Sequence, residues 1–445
     1  MAEPTSPPIA SFDELLLPFR EAVSDRRRIG VEMEKIGVHV PGGAPITYSK
    51  DIARIFEALE QNGWARESEK PGAPTIAMRR GEASVTLEPG GQVELSGSPL
   101  EDIHAVAAEL RAHQEELAPV SRELGIVWLG LGFHPFARRE ELEWVPKARY
   151  GLMREYLPKR GGHALDMMLR TCTVQANFDY ASETDAMRKM RVLLRISPVV
   201  SAIFANSPFV EGRPFGGVSF RSRVWLDVDP DRAGLVPRLF SRGATFADYV
   251  EWALDVPMFL FKRGGEVIAN TGQPFRDFWK NGFRGHAATQ ADWVMHLGTL
   301  FPEVRLKRTI EVRGADSQSL GNAPALPALF TGILYDEQAL SEAEALTEDW
   351  TYEEVYEVKS HVGRHGLRAP FRGDTLLAPA QTLLIIARGG LLRRAKTDAR
   401  GRDESVYLAP IEALLAKGQC PADALLAALD GTKDFREEIV RIAAL

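Results

Sequence analysis

Residues 28–40, RIGVEMEKIGVHV, narrow the possible folds more than any other stretch, because they carry a strand-like apolar pattern with two acids, Glu32 and Glu34, standing two apart. Side chains two apart on a strand share a face, so these carboxylates project together. Adjacent carboxylates repel, and the pair is tolerated most easily with a cation between them or with one of them protonated. A wet edge strand with two surface acids is the alternative. The strands that follow bear on the choice.

Three strand-like segments arrive together at Thr75 to Arg80, Ala83 to Glu88 and Gln92 to Ser96, the last two joined by Pro89-Gly90-Gly91. They read as an antiparallel meander. By parity Ser84, Thr86 and Glu88 share one face against Val85 and Leu87, and Gln92, Glu94 and Ser96 oppose Val93 and Leu95. Glu88 and Glu94 thus join the polar faces beside a Gly-Gly turn through which backbone can approach a ligand, although a solvated outer sheet face remains open. Residues 170–180, RTCTVQANFDY, alternate without a break: Thr171, Thr173, Gln175, Asn177 and Asp179 line one side, while Cys172 and its apolar partners line the other. The absence of Lys and Glu from the polar side favours a ligand cavity over solvent. Cys172 reads as packing. In Val304 to Asp316, read as one strand-like stretch, Arg305, Lys307, Thr309, Glu311 and Arg313 share a face. Glu311 and Arg313 suit a metal ligand beside an anion binder, or a cross-strand ion pair.

The remaining segments frame these strands. Residues 1–10 are Pro-rich and expected to be loose, with Ser11 and Glu14 as a capping box for a first helix. Ser98-Pro99 is expected to start a long helix ended by Gly125, and Val256 to Lys262 to form an apolar strand. Arg138 and Arg139 follow the apolar strand Ile126 to Phe133 and could hold a carboxylate; with Glu140 and Glu141 they equally suit a surface salt-bridge run. Beyond residue 323 the periodicity is almost entirely helical. No linker divides the chain, so residues 11–445 are read as a single catalytic domain, mixed α/β over 11–322 and mostly helical over 323–445.

Net charge −7, from 54 basic against 61 acidic residues, excludes nucleic acid as the expected partner. No run reaches the roughly 18 apolar residues of a membrane span. The opening MAEPTSPPIASFDELL has neither a basic start nor an apolar core, and two cysteines are too few for a disulfide framework, so a cytoplasmic protein is expected. The missing P-loop, dinucleotide fingerprint and nucleophile elbow leave carboxylates on an antiparallel sheet holding Mg2+ against ATP as the enzymatic reading.

Seven blocks in order, RIGVEMEKIGVHV, ASVTLEPGGQVELSGSPLEDIH, DMMLRTCTVQANFDY, IFANSPFVEGRPFGG, ALDVPMF, FPEVRLKRTIEVRGAD and ALPALFTGILYD, closely resemble the plant-type glutamate-cysteine ligase family, which has many bacterial members. The resemblance implies an α+β, glutamine-synthetase-like catalytic fold, with a curved antiparallel sheet forming a funnel surrounded by helices. It implies ATP-dependent joining of L-cysteine to the γ-carboxylate of L-glutamate through a γ-glutamyl phosphate, the first step of glutathione biosynthesis. Carried over residue by residue, Glu32, Glu34, Glu88, Glu94 and Glu311 are expected to bind Mg2+ and, through it, the ATP phosphates. Arg313 is the candidate for the transferring phosphoryl group, with Glu311 beside it. Arg138 or Arg139 is expected to hold the glutamate α-carboxylate, and Arg170, Gln175 and Asn177 to line the amino-acid pocket.

Departures from the family pattern also carry expectations. Plant members have cysteine pairs linked to redox control; here the corresponding positions are Asn270 and Pro324, so thiol-disulfide activation is not expected. Met33 stands where the family commonly has His, on the side away from the acids. The expected partners are small molecules only, with the chain a monomer or weak homodimer. A sibling carboxylate-amine ligase using another amine or acid is the alternative function, and a non-catalytic scaffold is disfavoured by retention of every motif acid.

Overall fold

In this computed structural model, residues 7–429, 432 and 434–445 are described. The alternation around Glu32 folds as β1 (Ile29–His39), the longest strand and the spine of a ten-stranded sheet. Its neighbours are β2 (Ala65–Ser68), β3 (Thr75–Arg80), β4 (Ala83–Leu87), β5 (Val93–Ser96), β6 (Ile126–Leu129), β7 (Val174–Phe178), β8 (Val304–Leu306) and β9 (Ile310–Val312). Their order is β8-β9-β7-β1-β5-β4-β3-β2, and every pairing is antiparallel. β6 and the two-residue strand Ala44–Pro45 pair with the far end of β1. Free edges at β8 and β2 leave the sheet open.

Register brings the polar faces together. Glu34 lies opposite Glu94, Glu32 opposite Gln175, and Glu311 opposite Asn177. On the other side Val31, Met33, Val85, Leu87, Leu95 and Val174 are buried in the core. Burying apolar area of this kind contributes about 25 cal/mol per Å2, which fixes the register, since a one-residue slip would send each set to the wrong face.

Helices cover the apolar side. The helix Ile103–Leu124 packs on β1 and β6, α1 (Glu183–Ile203) on β8 and β9, and α2 (Ala325–Leu334) on β7. α3 (Tyr352–His365) lies against α1 and the short helix Phe220–Val224, and α4 (Leu377–Arg394) crosses α2. At that crossing, Gly332 and Gly390 bring the backbones so close that a side chain on either would run into the opposite helix. One cluster of buried apolar residues runs from Ile9 to Ala422, so the mixed and helical parts share a core.

Several expected elements differ. Of the loose residues 1–10, residues 1–6 lie outside the described residues, whereas Ile9 is pinned by hydrogen bonds to Ala288 O and from Trp279 Nε1, both at 2.9 Å. Ser11 does not cap the first helix with its side chain; Glu14 instead reaches back to Ala10 N at 3.3 Å. The long helix starts at Ile103, where the Asp102 carboxylate accepts Ala105 N at 2.8 Å, and ends at Gly125 as expected. Pro257 shortens the expected strand at Val256 to Leu260–Arg263, which pairs with Glu266–Ala269 apart from the main sheet. Val304 to Asp316 is not one strand but the β8–β9 hairpin, in which Arg305 faces Glu311. Asn270 is buried and donates to Gln273 Oε1 at 2.8 Å, Pro324 caps α2, and Cys172 and Cys420 are buried and free.

Candidate active site

The polar face of the sheet opens into a cavity of about 340 Å3. Four acids line one wall: Glu32 and Glu34 from β1, Glu88 from the turn after β4, and Glu94 from β5. One oxygen each of Glu34, Glu88 and Glu94 lies within 4.8 Å of the other two. Glu34 accepts Thr173 N at 2.9 Å, and Glu94 accepts the hydroxyls of Thr86 and Ser96 at 2.8 and 3.0 Å. Burial, then Glu88 and Glu94, push the Glu34 carboxyl well above the usual range. Burial, then Glu311 and Glu94, push that of Glu32 up to about 7. Buried carboxylates that repel one another in this way form an oxygen donor set suited to a hard divalent cation, and no His or Cys competes within the group.

The facing wall is cationic. Arg221, Arg305, Lys307 and Arg313 line it, Arg149 lines the cavity near Glu88 and Glu94, and Trp225 and Phe301 line it as well. Glu311, expected to bind metal, does not line the cavity; it lies fully buried beneath these cations. Arg305 forms a bidentate pair with it at 2.7 and 2.8 Å, Lys307 approaches to 3.0 Å, and Arg313 bonds to it as well. Burial alone would raise the Glu311 carboxyl, but Arg305, Lys307 and Arg313 hold it well below the usual range. The cross-strand ion pair, one of the two readings of this stretch, is therefore present, and it anchors the guanidinium groups of the site. Arg313 also donates to Gln175 Oε1 at 2.8 Å, and Gln175 lines the cavity, whereas Asn177 does not line it and instead donates to the lining acid Glu32 at 3.1 Å.

The three arginines expected to hold amino acids do not reach this cavity. Arg138 and Arg139 are exposed and pair with Glu211 at 3.4 Å and Asp166 at 3.5 Å, so they make ion pairs, though not with the Glu140 and Glu141 of the alternative surface run. Arg170 is buried over the Phe133 ring and pairs with Asp166 at 3.2 Å, because residues 164–170 form a helix that turns its side chain away. Groups missed in the sequence stand in the cavity instead, Arg149, Arg221 and Trp225 among them. Arg221 donates to the carbonyls of Arg313 and Gly314 at 2.8 and 3.1 Å, leaving its buried Nε without a partner, and the buried Nε1 of Trp225 also lacks one. Both come from the turn of helix at 220–225, too short to show periodicity. Arg305 and Lys307 were legible, since parity placed them on the face of Glu311.

Comparison with known proteins shows the family and the fold. The model of "Glutamate-cysteine ligase family 2" matches residues 28–443. The chloroplastic glutamate–cysteine ligase of Brassica juncea is 42% identical over 410 residues, covering 92% of this chain and 78% of the relative. That of Arabidopsis thaliana is 43% identical over 411 residues, covering 92% and 77%. The crystal structure of a glutamate–cysteine ligase from Francisella tularensis in complex with AMP superposes with a TM-score of 0.60 at 12% identity, covering 95% of this chain and 88% of that one. The expected α+β fold, an antiparallel sheet among helices, holds. The expected cytoplasmic location does not: these plant relatives are chloroplastic. Two buried thiols and a modest negative charge suit any reducing compartment, so they never distinguished one from another. With the family model matching from residue 28 to 443 and relatives above 40% identity across most of the chain, this protein belongs to glutamate–cysteine ligase family 2.

Proposed function

We propose that this chain catalyses ATP-dependent formation of γ-glutamylcysteine, the first step of glutathione biosynthesis. The carrying observation is that the acid triad and five cationic side chains face one cavity in a chain of this family. In the proposed sequence the γ-phosphoryl group of ATP passes to the side-chain carboxylate of glutamate, giving an acyl phosphate and ADP. The cysteine amine then attacks the acyl carbon, phosphate leaves, and the amine nitrogen loses a proton. No covalent enzyme nucleophile is needed, and the protein works by positioning and charge neutralisation.

Glu34, Glu88 and Glu94, with Glu32 beside them, are proposed to hold Mg2+. That ion would supply charge neutralisation at the triphosphate. Arg313, Arg305 and Lys307 are proposed to stabilise the negative charge of the transferring group, with Glu311 holding them in place in lieu of binding metal. Gln175 orients Arg313 and Asn177 orients Glu32. The unpartnered donors Arg221 Nε and Trp225 Nε1 are proposed to receive a substrate carboxylate, replacing Arg138, Arg139 and Arg170 in that role.

An ADP-release assay with glutamate and single amino acids tests the reading. Turnover with cysteine is expected. Turnover only with another amine would indicate a sibling ligase, and none with any pair would sink both.

A further inference from the structure

α3 crosses behind the cationic wall, and one of its side chains reaches through to that wall. Lys359 Nζ lies 3.0 Å from Glu303 Oε1, and the two side chains are only 12% and 11% exposed. Glu303 is joined to the segment that carries Arg313: its carbonyl accepts Arg313 N at 3.1 Å. Its carboxylate rests on Gly314, where an added Cβ would lie 2.8 Å from Glu303 Oε2. The same segment is gripped from two other sides, by Arg221 on both carbonyls and by Ser201 Oγ on Gly314 O at 3.0 Å. A continuous set of contacts thus links α3 to a guanidinium in the cavity.

The charges give this link a purpose. Three cations act on the Glu303 carboxylate, namely Lys359, Arg221 and Arg313. Arg221 has two of its nitrogens committed to backbone carbonyls and keeps only Nε, whereas Arg313 is engaged by Glu311 and Gln175 through Nη1 alone, so Lys359 and Arg313 are the side chains with most freedom to pair with Glu303. A buried carboxylate stripped of its partner draws the nearest available cation strongly, because the surroundings screen poorly.

We propose that Lys359 is a positioning residue, whose pairing with Glu303 keeps that carboxylate from capturing Arg313 and so holds the Arg313 guanidinium toward the ATP phosphates. The inference rests on the nucleotide role proposed for Arg313 and extends the site into the helical part of the chain, where the sequence shows no chemistry. Without Lys359, Arg313 swings back onto Glu303, and a displacement of about 1 Å at such a group costs on the order of 100-fold in rate.

The test combines calorimetric titration with Mg·ATP and steady-state ADP release. Lys359→Met is expected to weaken Mg·ATP binding about tenfold and lower kcat about 10- to 100-fold, with a smaller change in the KM for glutamate. Adding Glu303→Gln to that variant is expected to recover most of both, because a neutral amide does not attract Arg313. Lys359→Arg should behave like the unsubstituted enzyme. A merely structural ion pair would recover its Tm on the same second substitution, but would leave kcat and Mg·ATP affinity unchanged in the folded single variant. Wild-type binding and kcat in Lys359→Met overturns the inference, as does a natively folded double variant no better than Lys359→Met. Should Lys359→Met fail to fold, Lys359→Gln is read in its place: lowered kcat and Mg·ATP affinity recovered by Glu303→Gln support the inference, and unchanged values in folded Lys359→Gln overturn it. Intact Mg·ATP binding without cysteine turnover in the unsubstituted chain would overturn the proposed function alone; absent Mg·ATP binding would overturn both.

Discussion

Protonation at the acid wall is set residue by residue, and it links stability to pH. Glu32 is raised from an ordinary 4.5 to about 7, by burial first and then by Glu311 and Glu94, so the folded state binds this proton more tightly than the unfolded one. Its contribution to stability is complete below about pH 4.5 and is lost as the pH rises through about 7; Glu34 acts in the same direction. The Tm of the metal-free protein is therefore expected to fall between about pH 5 and pH 8, and added Mg2+ should raise it more at the upper end, as read by scanning fluorimetry. A Tm indifferent to both would remove Glu32 and Glu34 from any cation site. Two amide substitutions separate the acids by role. Glu34→Gln relieves repulsion and should raise the metal-free Tm at about pH 8 while shrinking the Mg2+ response. Glu311→Gln leaves Arg305, Lys307 and Arg313 without their shared anion and should cost about 3–5 kcal/mol in denaturant unfolding, with turnover lost. Equal stability of the two variants would contradict this division.

At the scale of elements, parity proved more durable than strand boundaries. Val304 to Asp316 reads as one strand yet folds as a hairpin, and the grouping of Arg305, Lys307, Glu311 and Arg313 survives because its cross-strand partners Arg305 and Glu311 have the same parity. Glu88 and Glu94 were legible for a similar reason, being at the ends of alternating strands around a glycine turn. Arg138 and Arg139 were not, since a loop arginine carries no period that tells inward from outward, and Arg221 lies in a helix of only five residues. The turn itself offers a test. Gly90 packs against the carbonyl of Leu169, its amide donates to Gln92 Oε1 at 2.9 Å, and the Gln92 amide donates to Thr171 O at 2.9 Å. Gly90→Ala forces that turn outward and moves Glu88 from Glu34 and Glu94. A fall in kcat of about 10- to 100-fold with a raised Mg2+ requirement is expected, and normal Mg2+ dependence would show that the turn does not set the acid geometry.

For the whole molecule, the buried cluster from Ile9 to Ala422 predicts that residues 11–322 and 323–445 unfold together. Scanning calorimetry should record one transition, and two resolved transitions would mean that the helical part folds by itself. The family was legible from seven blocks in order, four of which carry strands of the main sheet while the other three lie outside it. The compartment was not, since charge balance and cysteine count carry no address. The two walls of the cavity also differ in when they are made. All four lining acids lie within residues 32–94, whereas the lining cations run from Arg149 to Arg313. During synthesis the four acids therefore leave the ribosome before the cations that line the cavity with them. Any meander formed in that interval has only protons or divalent ions to balance its carboxylates, and the yield of folded protein from cell-free translation is expected to rise with Mg2+.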